Sequence, residues 1–175
     1  MNRNRQTIRG FTLIEVLVTL VVLAIGLLGL AGLQASSLKH NNNAYQRTQA
    51  TYLAYDILDR MRTNPVGVEA GGYDDIDTLP LPAIPACVLG AGALCDPADL
   101  ALNDAFEWAT RLNATLPSGR GIVTATVPGS PNDPFTVTVM WDDMRTGVTG
   151  TDCDPADPDD MTCFSVTGQV LYNRF

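Results

Sequence analysis

Gly10-Phe11-Thr12-Leu13-Ile14-Glu15-Val16-Leu17-Val18-Thr19-Leu20-Val21-Val22-Leu23-Ala24-Ile25-Gly26-Leu27-Leu28-Gly29-Leu30-Ala31-Gly32-Leu33 decides the fold of this chain. From Phe11 to Leu33 there are 23 residues and one charge, Glu15. As a helix that run is about 34 Å long, enough to cross a hydrocarbon core of about 30 Å. The ten residues before it, Met1 to Gly10, are polar and carry Arg3, Arg5 and Arg9. A secretory signal places its small-residue cleavage site after the apolar region. Here the small residue, Gly10, stands before it, so cleavage after Gly10 removes the charged leader and keeps the membrane helix. The arginines hold that end in the cytoplasm and put the remainder on the far side.

Glu15 is the discordant residue in the run. A carboxylate inside a membrane helix costs about 2.5–3.5 kcal/mol on insertion scales and usually has a partner. One reading is that it lies near the helix end and reaches the interface. The sharper one is that cleavage creates a positive α-amino group on Phe11, one helical turn away, and that a neighbouring subunit's Phe11 amine neutralises Glu15 during assembly.

Composition limits what the rest can be. The 175-residue chain carries a net charge of −8, which falls to −11 once the three leader arginines are gone. Such a surface repels phosphate backbones and argues against a nucleic-acid partner. Cys87, Cys95, Cys153 and Cys163 all lie beyond the membrane segment. An even count on the far side of a membrane reads as two disulfides in an oxidising compartment. Three connectivities are open, and the short loops favour Cys87–Cys95 and Cys153–Cys163. Zinc needs closer pairs with histidines nearby. The spacings differ, and the one histidine, His40, is remote in sequence.

Gly10-Phe11-Thr12-Leu13-Ile14-Glu15 closely resembles the type IV prepilin processing site. The resemblance implies that a prepilin peptidase cuts after Gly10 and N-methylates Phe11, and that Glu15 supports docking of the subunit into a filament. Gly26, Gly29 and Gly32 read either as ordinary membrane-helix glycines that permit close contact or as a segment able to extend on leaving the bilayer. The resemblance favours the second reading, although the proline common in pilins at this point is missing. The stretches 25–34, 45–51 and 54–62 resemble the PilV-type minor pilins, the type IV pilus modification proteins. That likeness runs through residues 10–64 and weakens beyond.

From Gln34 to Thr63 there is neither Gly nor Pro. Leu38, Tyr45, Leu53, Ile57 and Met61, with Ala50 and Ala54, mark one face of an amphipathic continuation of the helix over 34–64. Asp59, Arg60 and Arg62 are expected to be solvated. Asn64-Pro65 ends the helix. Residues 65–97 read as a long loop held by Cys87 and Cys95. Asp96-Pro97 opens a second helix, with Leu100, Phe106, Trp108 and Leu112 as its apolar face and Pro117 as its stop. Alternating runs at 121–127, 135–141 and 164–171 predict three strands of an antiparallel sheet.

These readings give an α+β type IV pilin fold: leader 1–10, membrane helix 11–33, amphipathic helix 34–64 and a globular head 65–175. No catalytic constellation emerges. His40 has no base or nucleophile beside it, and Asp142 and Asp143, adjacent on a strand, point to opposite faces. The acidic loop 152–160 lacks the spacing and glycine of a calcium loop and reads as solvated. No metal, cofactor or small-molecule substrate is expected. The expectation is a non-enzymatic minor pilin whose partners are prepilin peptidase, other minor pilins, the major pilin and the inner membrane. It would have its leader in the cytoplasm and its head in the periplasm, and would later sit in the pilus, near its tip, where it helps prime assembly. The rivals are a minor pseudopilin of type II secretion and an adhesin-type head on a pilin stalk.

Overall fold

A computed structural model describes residues 10–90 and 94–170; the leader residues 1–9 and the last predicted strand residue, Leu171, lie outside them. Helix α1 runs over Leu13–Thr63, α2 over Pro65–Glu69 and α3 over Pro97–Thr115. Strands β1 (Asp75–Asp77), β2 (Arg120–Ala125), β3 (Phe135–Trp141) and β4 (Thr162–Gly168) form one antiparallel sheet in the order β1-β2-β3-β4. The architecture is α+β, as expected.

The chain divides into two units, Met1–Asn42 and Asn43–Phe175. In the first, the described residues are the start of α1 and the short approach to it, and every side chain is exposed. Its most apolar 18-residue window has a mean hydropathy of 2.8, so α1 is long and apolar enough to cross a membrane.

The second unit holds the core. Residues 43–63 of α1 turn Gln46, Ala50, Leu53, Ala54, Ile57, Leu58 and Met61 inward, the three- and four-residue spacing of one helical face. All of these except Gln46 join a core with Ala101, Ala105, Trp108 and Leu112 of α3 and with Val123, Phe135, Val137, Val139 and Trp141 of the sheet. Strand β3 is buried at Phe135, Val137, Val139, Met140 and Trp141. β2 shows the alternation of a half-buried strand, buried at Gly121 and Val123.

Several expectations need correction. Leu38 and Tyr45 are exposed. At about 100° per residue Tyr45 falls well off the line through Gln46, Ala50 and Leu53, and it aligns with Tyr52 on an outward stripe. Arg60 is not solvated, because α3 brings carboxylates to it. Leu100 is exposed, and Ala101 and Ala105 supply the close contact in its place. Residues 65–97 are not all loop: they contain α2, capped by the Asn64 side chain accepting from Gly67 N at 3.1 Å, and the edge strand β1. β2 ends at Ala125, leaving Val127 outside it, and β4 begins two residues before Phe164.

Candidate processing and assembly site

The start of α1 is organised by Thr12. Its carbonyl accepts from the N–H groups of Glu15 (3.1 Å) and Val16 (3.3 Å), and its Oγ1 accepts from Glu15 N at 3.4 Å. Thr12 and Glu15 have the T-x-x-E spacing of a capping box. Glu15 is therefore the third helical residue, in the first turn, where the helix dipole favours negative charge. Gly10 and Phe11 precede the helix in irregular, exposed backbone, and Phe11 is 85% exposed.

Among the described residues, the Gly10–Phe11 peptide bond lies outside the helical hydrogen bonding, with both residues exposed. Among the described residues, a Cβ on Gly10 would meet nothing within 4 Å. Cleavage would leave the Phe11 amine beside the positive end of the helix dipole, an unfavourable place for a cation. A carboxylate at the Glu15 position offsets that charge. Gly26, Gly29 and Gly32 lie within unbroken helix, and a Cβ on any of them would likewise meet nothing within 4 Å.

A polar cluster that the sequence did not disclose ties α1 to α3 and α2. Arg60 pairs with Asp56 (3.2 Å), Asp104 (2.9 Å) and Glu107 (2.9 Å). Tyr73 donates to Asp104 Oδ2 at 2.6 Å and accepts from Asn64 Nδ2 at 3.1 Å, and Asn64 also donates to Pro97 O at 2.8 Å. Burial first, and then the adjacent Asp104, push the Tyr73 hydroxyl well above its usual range. The Arg60 guanidinium, against a smaller cost of burial, holds the Glu107 carboxyl below its usual range. Asn64 and Tyr73 are buried within this cluster, and Glu107 lies at its exposed rim.

Cys87 bonds to Cys95 and Cys153 to Cys163, with Cα separations of 5.2 and 5.6 Å, the pairing favoured from the loop lengths. Asp142 and Asp143 are separated by environment. Asp142 is buried, which raises its pKa. Hydrogen bonds from Gly147, Thr146 and Arg145 outweigh that and hold its carboxyl below the usual range. Asp143 lines a cleft of about 290 Å³ with Asn43, Ala44, Arg47, Trp141 and Thr162. In the acidic loop, Asp154 accepts from Ala156 N, Asp157 from Asp159 N and Asp160 from Asp154 N. Among the described residues no group of three or more His, Cys, Asp or Glu is arranged to hold a metal ion.

No curated protein and no solved structure gives a significant match to the chain. Residues 5–31 match the family model described as the prokaryotic N-terminal methylation motif. That segment contains Gly10, Phe11, Glu15, Gly26 and Gly29. The match supports a type IV pilin-like structural subunit, one that a prepilin peptidase processes and that associates with a membrane.

Proposed function

We propose that this chain is a minor type IV pilin of the PilV type, a non-enzymatic subunit that joins other minor pilins to prime pilus assembly at the pilus tip. It is cut after Gly10, N-methylated on Phe11 and drawn into the filament by Glu15. It is held in the inner membrane by residues 11–33, with its leader cytoplasmic and its head, 65–175, periplasmic. Gly26, Gly29 and Gly32 let the apolar helix extend as it leaves the bilayer.

The observation that carries the reading is the coincidence, in one short segment, of the methylation motif, an exposed irregular Gly10–Phe11 bond and a capped apolar helix with Glu15 in its first turn. The two disulfides suit a periplasmic head. Intact-mass and N-terminal analysis of the protein from its native membrane tests the processing. A chain beginning with N-methylated Phe11 is expected, and an uncut chain in cells with working prepilin peptidase refutes it. Glu15→Ala is expected to be cut normally yet absent from pili. A secretion pseudopilin shares the same motif, and deletion separates the two. Loss of surface pili with intact protein export fits a pilin, and the reverse fits the pseudopilin.

A further inference from the structure

The sheet has two edges, and they are built differently. β1 is three residues long, carries Asp75 and Asp77, and Asp77 is paired with Arg120. Short length and charge are how natural edges avoid pairing with other chains. β4, at the other edge, is Thr162-Cys163-Phe164-Ser165-Val166-Thr167-Gly168, seven residues with no charge and no proline. It pairs with β3 on one side. Among the described residues no main-chain N–H or C=O of 162–168 bonds any other element. The 150–160 loop is bonded at the start of this edge, and the uncharged remainder from Phe164 onward is a template for an added strand.

What lies beside this edge specifies the occupant further. Asp152, Asp154, Asp157, Asp159 and Asp160 lead into β4, and none has a cationic partner among the described residues. The Cys153–Cys163 disulfide and the Gly150–Asp160 bridge hold that acidic loop against the first residues of the strand. A segment lying along β4 therefore meets hydrogen-bonding main chain and uncharged side chains over most of its length, and clustered carboxylates at one end.

We infer that the β4 edge is a docking site for an extended segment of a partner protein, added as a fifth strand, uncharged where it pairs and basic where it passes the 152–160 loop. The inference stands whether or not the chain enters a pilus.

The test uses the full-length protein in detergent micelles and the synthetic peptide Thr-Val-Thr-Val-Thr-Lys-Lys, whose basic end meets the acidic loop in an antiparallel addition. The expected result is at least about tenfold slower hydrogen exchange at amides within 162–168, with β1 unchanged. The same peptide methylated on its backbone nitrogens should give no protection. Replacing its lysines by glutamates should weaken binding by about tenfold or more, as should the combined Asp154→Asn, Asp157→Asn and Asp159→Asn substitutions, which retain the Oδ1 acceptors of the loop. Unchanged exchange at saturating peptide, or equal protection by the N-methylated peptide, overturns strand addition. Equal affinity for the lysine and glutamate peptides overturns the basic partner, as does unaltered binding to the Asn variant.

Discussion

The Tyr73 hydroxyl donates to Asp104 and accepts from Asn64 while its ring is wholly buried, so ionising it would set a second negative charge beside the Asp104 carboxylate. Its pKa is raised in the fold, which means the folded state favours the protonated form. That contribution is complete below the ordinary tyrosine value of about 10 and is lost as pH rises above it. Thermal melts should therefore fall steeply on the alkaline side of about pH 10. Tyr73→Phe should cost about 1–2 kcal/mol at neutral pH and flatten that fall. The acid limit has the opposite sign. Arg60 depresses Glu107, and Arg120 depresses Asp77 despite the cost of burial. Their contributions are present above the ordinary carboxylate range of about 4 and disappear as pH falls through the lowered values. Melting temperature should be level near neutrality and drop below about pH 4, with the drop reduced in Asp77→Asn. An acid limb unaltered in that variant would show that the Asp77–Arg120 pair does not govern it.

At the level of elements, α3 is held to α1 and the sheet through Trp108. Its indole donates to the carbonyl of Leu53 in α1 at 2.9 Å, and its ring lies directly over Gly121 of β2. A Cβ at Gly121 would run into that ring, so Gly121→Ala forces a displacement and should cost about 1–3 kcal/mol in chemical denaturation. Arg60→Ala strips the cation from Asp56, Asp104 and Glu107 and should cost about 1–3 kcal/mol, with Arg60→Lys recovering part, because one ammonium cannot reproduce the guanidinium fork. If Arg60→Ala proved neutral, the cluster would be ornament to the apolar contact around it. What the sequence disclosed and what it hid divide along the same line. α1, α3, β2, β3 and β4 could be read because each repeats a period long enough to recognise, and the Gly10 to Glu15 segment because its parts are adjacent. β1 could not, since three residues with two aspartates have no strand signal and pair only because β2 is there to meet them. Arg60 was misread for a similar reason. Its partners Asp104 and Glu107 lie more than forty residues away, and nothing in the local pattern 59–62 announces them.

On the scale of the whole molecule, the two units depend on different solvents. Every residue of the hydrophobic core cluster lies at Ala50 or beyond, and both disulfides lie beyond it too. The described residues up to Asn42 add no buried side chain. Their apolar surface is the kind that lipid, detergent or other helices must cover, since a contiguous exposed patch of that size does not stay in water. The head should therefore fold without it. A fragment comprising residues 34–175 is expected to be soluble without detergent and monomeric by gel filtration. It should melt within about 4 °C of the full chain in micelles, the largest shift that roughly 1 kcal/mol makes in a protein of this size. A fragment that aggregates, or that melts far lower with both disulfides formed, would mean that residues before Gln34 contribute to the stability of the head. In that case a substitution in the membrane run such as Leu28→Ala, which removes no buried contact here, should also lower the melting temperature of the full chain; if the units are independent it should leave it unchanged.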